Sequence, residues 1–235
     1  MDFPTKHSLS TRKKASRCYK RGKITLIKGT MFSGKTSELL SRVKKKQITN
    51  GNYILVKYAL DTRYSNSGVA SHSLQIDTNC ISVLKCCEIE EKLNIWKLDS
   101  IFIDEGQFFP DLYDFCCKWM LRGKHITIAA LEFYADQTPW PQIVKLAPLC
   151  EKVELNAICM ICHGVATTCE KITYDLTNEV DIGGTDKYRA VCGACYLLED
   201  VSSKIQCDNC NYEYVFPPDF DEDEPYKCES CFNNQ

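Results

Sequence analysis

The sequence predicts an α/β fold: a parallel sheet flanked by helices, followed by small cysteine-bearing modules. Three observations predict it. Apolar, β-branched runs alternate with stretches of helical spacing between residues 23 and 150. The first such run leads into G-x4-G-K-T, and a helical stretch follows it. Four C-x2-C pairs then stand between Cys159 and Cys231. Strands alternating with helices give parallel sheets with right-handed crossovers. In such sheets ligands sit beyond the carboxyl ends of the strands.

Length and composition set the limits. The 235 residues suit one full domain with appendages, or two small domains. A net charge of −2 gives no compositional reason to expect a nucleic-acid partner. No apolar run is long enough to span a bilayer. The first 22 residues are polar and basic, with no apolar core of a secretory signal, and read as a flexible arm. Within that arm Arg12–Gly22 reads foremost as a solvated tail, with contact to a polyanion or an import signal as the other readings. Sixteen cysteines in an unsecreted chain argue for metal ligation and free thiols over disulfides.

The elements follow in order. Ile24-Thr25-Leu26-Ile27 is a buried strand. Gly29-Thr30-Met31-Phe32-Ser33-Gly34-Lys35-Thr36 comes next, and Ser37–Val43 has helical spacing. Strand, G-x4-G-K-T and helix form a phosphate-binding P-loop in its required context. The glycines let backbone N–H groups turn inward as an anion nest, and the helix start adds its positive end. Lys35 would reach the β- and γ-phosphates, and the Thr36 hydroxyl would sit on Mg²⁺. Tyr53–Tyr58 is the second strand, and Asp61-Thr62-Arg63-Tyr64 opens a polar loop. Ser82–Leu98 is mixed and contains a helix. Ile101–Glu105 is a strand ending in two acids, Leu112–Leu121 a helix, and Ile126–Ala130 another buried strand.

Asp104 stands at the strand end where P-loop proteins hold Mg²⁺. Glu105 is one residue further and so faces away from Asp104, where a carboxylate could take a proton from an attacking hydroxyl. A turn-capping role before Gly106 is the blander alternative. Cys159/Cys162 and Cys192/Cys195 can close a tetrahedral Zn²⁺ site, structural because no position stays open. Cys207/Cys210 and Cys228/Cys231, with seventeen residues (211–227) between the pairs, suit a second zinc ribbon. The acidic stretch Asp219–Glu224 lies within it.

Several of these stretches together resemble the type II thymidine kinases, the cytosolic cellular and poxvirus-type enzymes. They are Gly29–Thr36, Val56–Ser65, Ile103–Asp111, Ile182–Tyr188 and the flanking cysteine pairs, in that order from about Lys23 to Tyr196. The resemblance implies a P-loop parallel sheet over 23–150 and a zinc-pinned lasso domain over 151–200. The zinc-ribbon-like tail over 201–235 has no counterpart in the family and reads as binding a partner or stabilising the chain end. It implies a cytoplasmic homo-oligomer, a tetramer in the family. The reaction would move the γ-phosphoryl of ATP, with Mg²⁺, to the 5′-hydroxyl of thymidine. Gly29 to Thr36 would bind the donor, with Asp61, Thr62 and Arg63 near the phosphates and metal. Asp104 would belong to the Mg²⁺ site, Gln107 would be a polar contact beside it, and Glu105 would be the general base. Met31, Phe108, Leu131, Ala135 and Tyr188 would surround the sugar and base. Phe108 and Tyr188 read on sequence alone as ordinary core aromatics. Glu179, Val180, Asp181, Ile182 and Gly183 would form the loop that closes over the nucleoside.

The chain departs from the family pattern in places. Thr30 stands where Pro is usual, Glu132-Phe133-Tyr134-Ala135 where Asp-Gly-Thr-Phe is usual, and Cys169 where a hydroxyl residue is common. An aromatic is thus missing at Ala135, with Phe133 or Tyr134 as its replacement. These changes bear on base preference more than on the chemistry. The rival reading is a nucleotide-regulated, zinc-containing binding protein, which would need neither Glu105 nor a double-glycine loop.

Overall fold

A computed structural model describes residues 21–61, 79–172 and 183–197 in full, and the backbone alone of 204–206 and 213–215. Thr62, Arg63, Glu179, Val180, Asp181, Ile182, Cys207, Cys210, Cys228 and Cys231 lie outside the described residues, as does the basic arm up to Lys20.

Six strands make one parallel sheet: β1 (Lys23–Lys28), β2 (Tyr53–Tyr58), β3 (Cys80–Val83), β4 (Ser100–Ile103), β5 (His125–Ala130) and β6 (Cys150–Glu154). Their order is β3-β2-β4-β5-β1-β6. Successive side chains of a strand face opposite ways, and both faces of this sheet are covered. Ile24, Leu26, Ile54, Val56, Ile101, Ile103, Ile126 and Ile128 face one core. There they meet Ile89 of α2 (Cys87–Lys92), Leu112, Phe115 and Trp119 of α3 (Leu112–Met120), and Ile143 and Leu146 of α4 (Pro141–Leu146). Ile27, Tyr53, Leu55, Phe102 and Ala129 face the other way, against Leu39 and Val43 of α1 (Lys35–Ile48). The continuous apolar runs read from the sequence are therefore central strands sandwiched by helices.

Two strands of this sheet, and α4, were not apparent in the sequence. The mixed stretch from Ser82 does contain a helix, α2, but its first residues complete β3 beside β2. β6, with the sequence Cys-Glu-Lys-Val-Glu, is the far edge strand and pairs only with β1 in the sheet. It carries the sheet four residues past the boundary expected at 150.

A small lobe follows. β7 (Ala157–Ile158) pairs with β8 (Val165–Ala166), β9 (Thr168–Lys171) pairs with β10 (Tyr188–Val191), and α5 (Gly193–Leu197) closes it. Its buried cluster is Ala157, Cys159, Ala166, Ala190, Val191 and Cys195. Three alanines, a valine and two thiols bury too little apolar surface to hold a fold, so the lobe needs another source of stability. A further hairpin joins β11 (Lys204–Gln206) to β12 (Glu213–Val215). Among the described residues no helix is long and apolar enough to cross a membrane.

Candidate active site

The P-loop curls tightly between β1 and α1. Gly29 has φ 149°, and a Cβ there would lie 2.1 Å from the Leu155 carbonyl oxygen. Phe32 and Gly34 have φ of 64° and 83°, the left-handed region that lets the chain reverse before the helix. Gly34 is the helix N-cap and offers no capping side chain, so the positive end of α1 faces the loop. The Lys35 ammonium folds back and donates to the Thr30 carbonyl at 2.7 Å.

β4 delivers the acids to the same end of the sheet. One strand, β5, separates β4 from β1, yet α1 crosses β5 and brings Thr36 over to the end of β4. The Thr36 hydroxyl donates to Asp104 Oδ1 at 3.1 Å. Asp104 is 2% exposed, so a carboxylate is buried where a hydroxyl already points at it. This oxygen pair, beside an anion nest, fits a Mg²⁺ ion, whose usual ligands are carboxylate, hydroxyl and phosphate oxygens.

Glu105 departs from ordinary backbone geometry, with φ 53° and ψ 45° in a non-glycine residue. That conformation turns its side chain away from the strand direction. Gly106 follows, where a Cβ would lie 2.4 Å from Ile128 Cγ2, so the chain at this turn is pressed onto β5. Glu105 Oε2 accepts a hydrogen bond from Gln107 Nε2 at 2.6 Å. Gln107 Oε1 in turn accepts from the Leu131 N–H at 3.1 Å. Gln107 is 3% exposed, and the Leu131 amide decides which end of its side chain is oxygen. The NH₂ end is thereby aimed at the Glu105 carboxylate. Gln107 is thus a side chain that orients Glu105.

Met31 is buried within the P-loop, and Asp61 closes the turn after β2 through its N–H to the Tyr58 carbonyl at 3.1 Å. Phe108 is half-buried and packs on Tyr58, with ring centroids 5.1 Å apart, and on the edge of Trp140 at 5.6 Å. Tyr134 stacks on Trp140 at 3.6 Å, so it belongs to the core aromatics. Phe133 is half-exposed. Gly29, Thr30, Leu131, Phe133, Thr168 and Cys169 all line one cavity between the P-loop, the end of β5 and the lobe. Burial pushes the Cys169 thiol up; the Lys35 charge and contacts with Thr30 and the Met31 backbone oppose this. β9 of the lobe therefore packs directly on the P-loop. Tyr188 starts β10, and its N–H closes the Gly184 turn at 3.0 Å. Gly183 is buried under the Lys187 side chain.

The lobe brings Cys159, Cys162, Cys192 and Cys195 together, with all four sulfurs within 4.8 Å of one another. Cys162 and Cys192 stand 3.6 Å apart as free thiols. A tetrahedral thiolate zinc, with Zn–S near 2.3 Å, sets sulfurs about 3.8 Å apart. Burial opposes ionisation of Cys159, but amide donors at Cys162, Ile161 and Cys192 outweigh it and bring its pKa down to about 6. Burial and the neighbouring thiols push Cys195 well up. Amides aimed at sulfur, and sulfurs too close to ionise together, are what a thiolate set needs a cation to complete. The four residues fit a zinc ion in the site expected from their spacing.

Sequence reasoning missed one local feature. Lys28, at the end of β1, pairs with Glu132 at 3.1 Å and Glu154 at 3.4 Å, tying the ends of β1, β5 and β6 together. These carboxylates outweigh the desolvation of Lys28 and hold its pKa above the ordinary lysine value. Only Glu132 stood out in the sequence, as a departure at the end of a strand.

A family model described as thymidine kinase matches residues 22–196. The chain is 41% identical over 179 residues to "Thymidine kinase, cytosolic" of Gallus gallus, covering 75% of this chain and 78% of that protein. It is 43% identical over 180 residues to "Thymidine kinase" of Sheeppox virus (strain KS-1), covering 76% and 98%. With "Thymidine kinase, cytosolic" of Homo sapiens it shares 40% identity over 194 residues, covering 80% and 79%.

Proposed function

The chain belongs to the thymidine kinase family and is a kinase; from that premise we propose that it transfers the γ-phosphoryl of ATP to the 5′-hydroxyl of thymidine, giving dTMP and ADP for DNA synthesis. The observation that carries this reading is the convergence of Lys35, Thr36, Asp104, Glu105 and Gln107 at one end of the sheet. Phosphate-binding and proton-accepting groups stand side by side there.

The backbone of Gly29–Thr36 wraps the donor phosphates, and the Lys35 ammonium leaves the Thr30 carbonyl to meet the β- and γ-phosphates. Asp61, Thr62 and Arg63 would serve those phosphates, the role the family resemblance implies for their stretch of sequence. Thr36 and Asp104 would hold Mg²⁺, which when bound offsets charge on the phosphate oxygens. Glu105, aimed by Gln107, takes the proton of the 5′-hydroxyl as that oxygen bonds to the γ-phosphorus. The bond from phosphorus to the β–γ bridging oxygen breaks, and ADP leaves with that oxygen. Catalysis rests on positioning and electrostatics, since phosphoryl transfer asks little covalent chemistry of the protein.

Met31, Phe108, Leu131, Ala135 and Tyr188 would bound the nucleoside, and the stretch Glu179–Gly183 would close over it, the roles the family resemblance implies. The zinc-held lobe supplies the ends of that loop, and residues 201–235 carry a second cysteine set. The same reading makes the protein a cytoplasmic homo-oligomer. A screen of purified protein with ATP–Mg²⁺ against the common nucleosides tests it. Thymidine should be the best substrate, with ADP and dTMP formed in equal amounts. Absence of dTMP would rule the reading out.

A further inference from the structure

Between β5 and α4 the chain makes a hairpin. Phe133 and Pro139 face each other across it, the Tyr134 N–H reaches the Thr138 carbonyl at 2.8 Å, and the Trp140 N–H reaches the Glu132 carbonyl at 2.9 Å. Its root is fixed by Lys28 on Glu132 and by Tyr134 stacked on Trp140. Its tip leaves the sheet domain altogether. Gln137 adopts φ 68°, a left-handed turn, and its amide is gripped from two sides. The Thr168 hydroxyl of β9 donates to Gln137 Oε1 at 2.7 Å. Gln137 Nε2 donates to the Ala135 carbonyl at 3.2 Å, and the Tyr196 hydroxyl of α5 donates to the same carbonyl at 3.1 Å. Both outside donors come from the cysteine lobe. Thr168 is one residue from Cys169, and Tyr196 directly follows Cys195.

The hairpin is continuous with the reacting centre. It begins just past Leu131, whose N–H holds Gln107, and Gln107 holds Glu105. Leu131 and Phe133 also line the cavity shared with the P-loop. A shift of the hairpin tip therefore reaches both the cavity wall and the aim of Glu105, while the loop from Gly29 to Thr36 is built on β1 and α1.

We propose that Tyr196 and Thr168 are positioning residues that clamp the Ala135–Gln137 turn, so that the cysteine lobe sets the shape of the nucleoside side of the site. This inference rests on the thymidine kinase reading above. Thr168 lines the cavity and Tyr196 is not among its lining residues, so Tyr196 is the cleaner probe of the turn through which both act.

The test is steady-state kinetics on the full chain with thymidine and ATP varied separately, alongside zinc content and melting temperature. Tyr196→Phe keeps the ring and removes one donor. Thr168→Val removes the other at nearly constant volume, and Thr168→Ser restores the hydroxyl. Each of the first two should raise KM for thymidine about 5-fold, the scale of one lost hydrogen bond. KM for ATP, bound zinc and melting temperature should stay near wild type, and Thr168→Ser should recover most of the thymidine affinity. Adding Thr168→Val to Gln137→Ala should cost little beyond Gln137→Ala alone, because the bond Thr168 makes is already gone. An unchanged KM for thymidine in Tyr196→Phe and Thr168→Val overturns the clamp while leaving the kinase reading intact. So does a matched rise in both KM values with a falling melting temperature, which marks mere structural support. Should Thr168→Val fail to fold, Tyr196→Phe and Thr168→Ser still decide. A wild-type protein that forms no dTMP removes the kinase reading and the clamp with it.

Discussion

At the scale of single residues, the site turns on a carboxylate held in an unfavourable backbone shape. Glu105 sits in the left-handed region, and such conformations persist only where surrounding structure enforces them. Here the enforcement comes from Gly106 against Ile128 and from Gln107. Glu105→Gln keeps the shape and loses basicity, so turnover should fall about 100-fold or more while ATP binding survives. Near-normal turnover in that variant would remove Glu105 from the proton transfer. Gly106→Ala should cost about 1–3 kcal/mol in a urea titration, because its methyl overlaps Ile128 Cγ2 and a packed turn must shift. Combined with Ile128→Ala the loss should be well below the sum of the two, since the second change opens the space the first one needs. Additive losses would mean that the turn relaxes in some other direction.

At the scale of elements, legibility followed burial and sequence proximity. β1, α1, β2, α3 and β5 were readable because each is apolar over its whole buried surface and long enough to show a period. β3 is four residues at one sheet edge, and β6 alternates a few apolar side chains with Glu and Lys on the other edge. Edge strands carry charge and little hydrophobic pattern, so neither announced itself. The P-loop, Asp104, Glu105 and the paired cysteines were legible because each is a short contiguous motif. Lys28–Glu132, Thr168–Gln137 and Tyr196–Ala135 join residues 104, 31 and 61 positions apart, and no local spacing encodes them. The lobe yields a prediction of its own. With so small an apolar cluster it should depend on its metal. Chelation, or acidification that reprotonates the thiols, should release zinc and melt the β9–β10 ladder while the six-stranded sheet persists. Amide hydrogen exchange would show this as a loss of protection confined to residues 157–197. Protection retained without metal would mean that the lobe folds on its own.

At the scale of the whole molecule, the sheet domain and the lobe build the site jointly, and two predictions concern that partnership. A chain ended at Asp200 removes the last cysteine pairs and keeps every residue assigned to the chemistry. It should phosphorylate thymidine normally and hold about one zinc ion, against the two proposed for the full chain; lost activity would give the tail a catalytic part. A site matched to the 3-NH and 4-oxo groups of thymine, as proposed, should reject deoxycytidine, whose exchanged donor and acceptor would leave buried groups unpaired. That mismatch costs orders of magnitude in kcat/KM, so comparison of deoxycytidine with thymidine is decisive. Ala135, standing where the family pattern has an aromatic, should leave a wider pocket that admits bulkier 5-substituted deoxyuridines without altering that selectivity. The strand order also bears on how the protein comes into being. β1 precedes the other five strands of the sheet, yet among them it pairs only with β5 and β6, which begin about a hundred residues later or more. At synthesis rates of about 5–20 residues per second, the strand that carries the P-loop waits roughly 5–20 seconds for a neighbour. The nucleotide-binding loop, made well before the strands beside it, is thus among the last parts of the sheet to be shaped, and a nascent chain halted before His125 should bind no nucleotide and rely on chaperones.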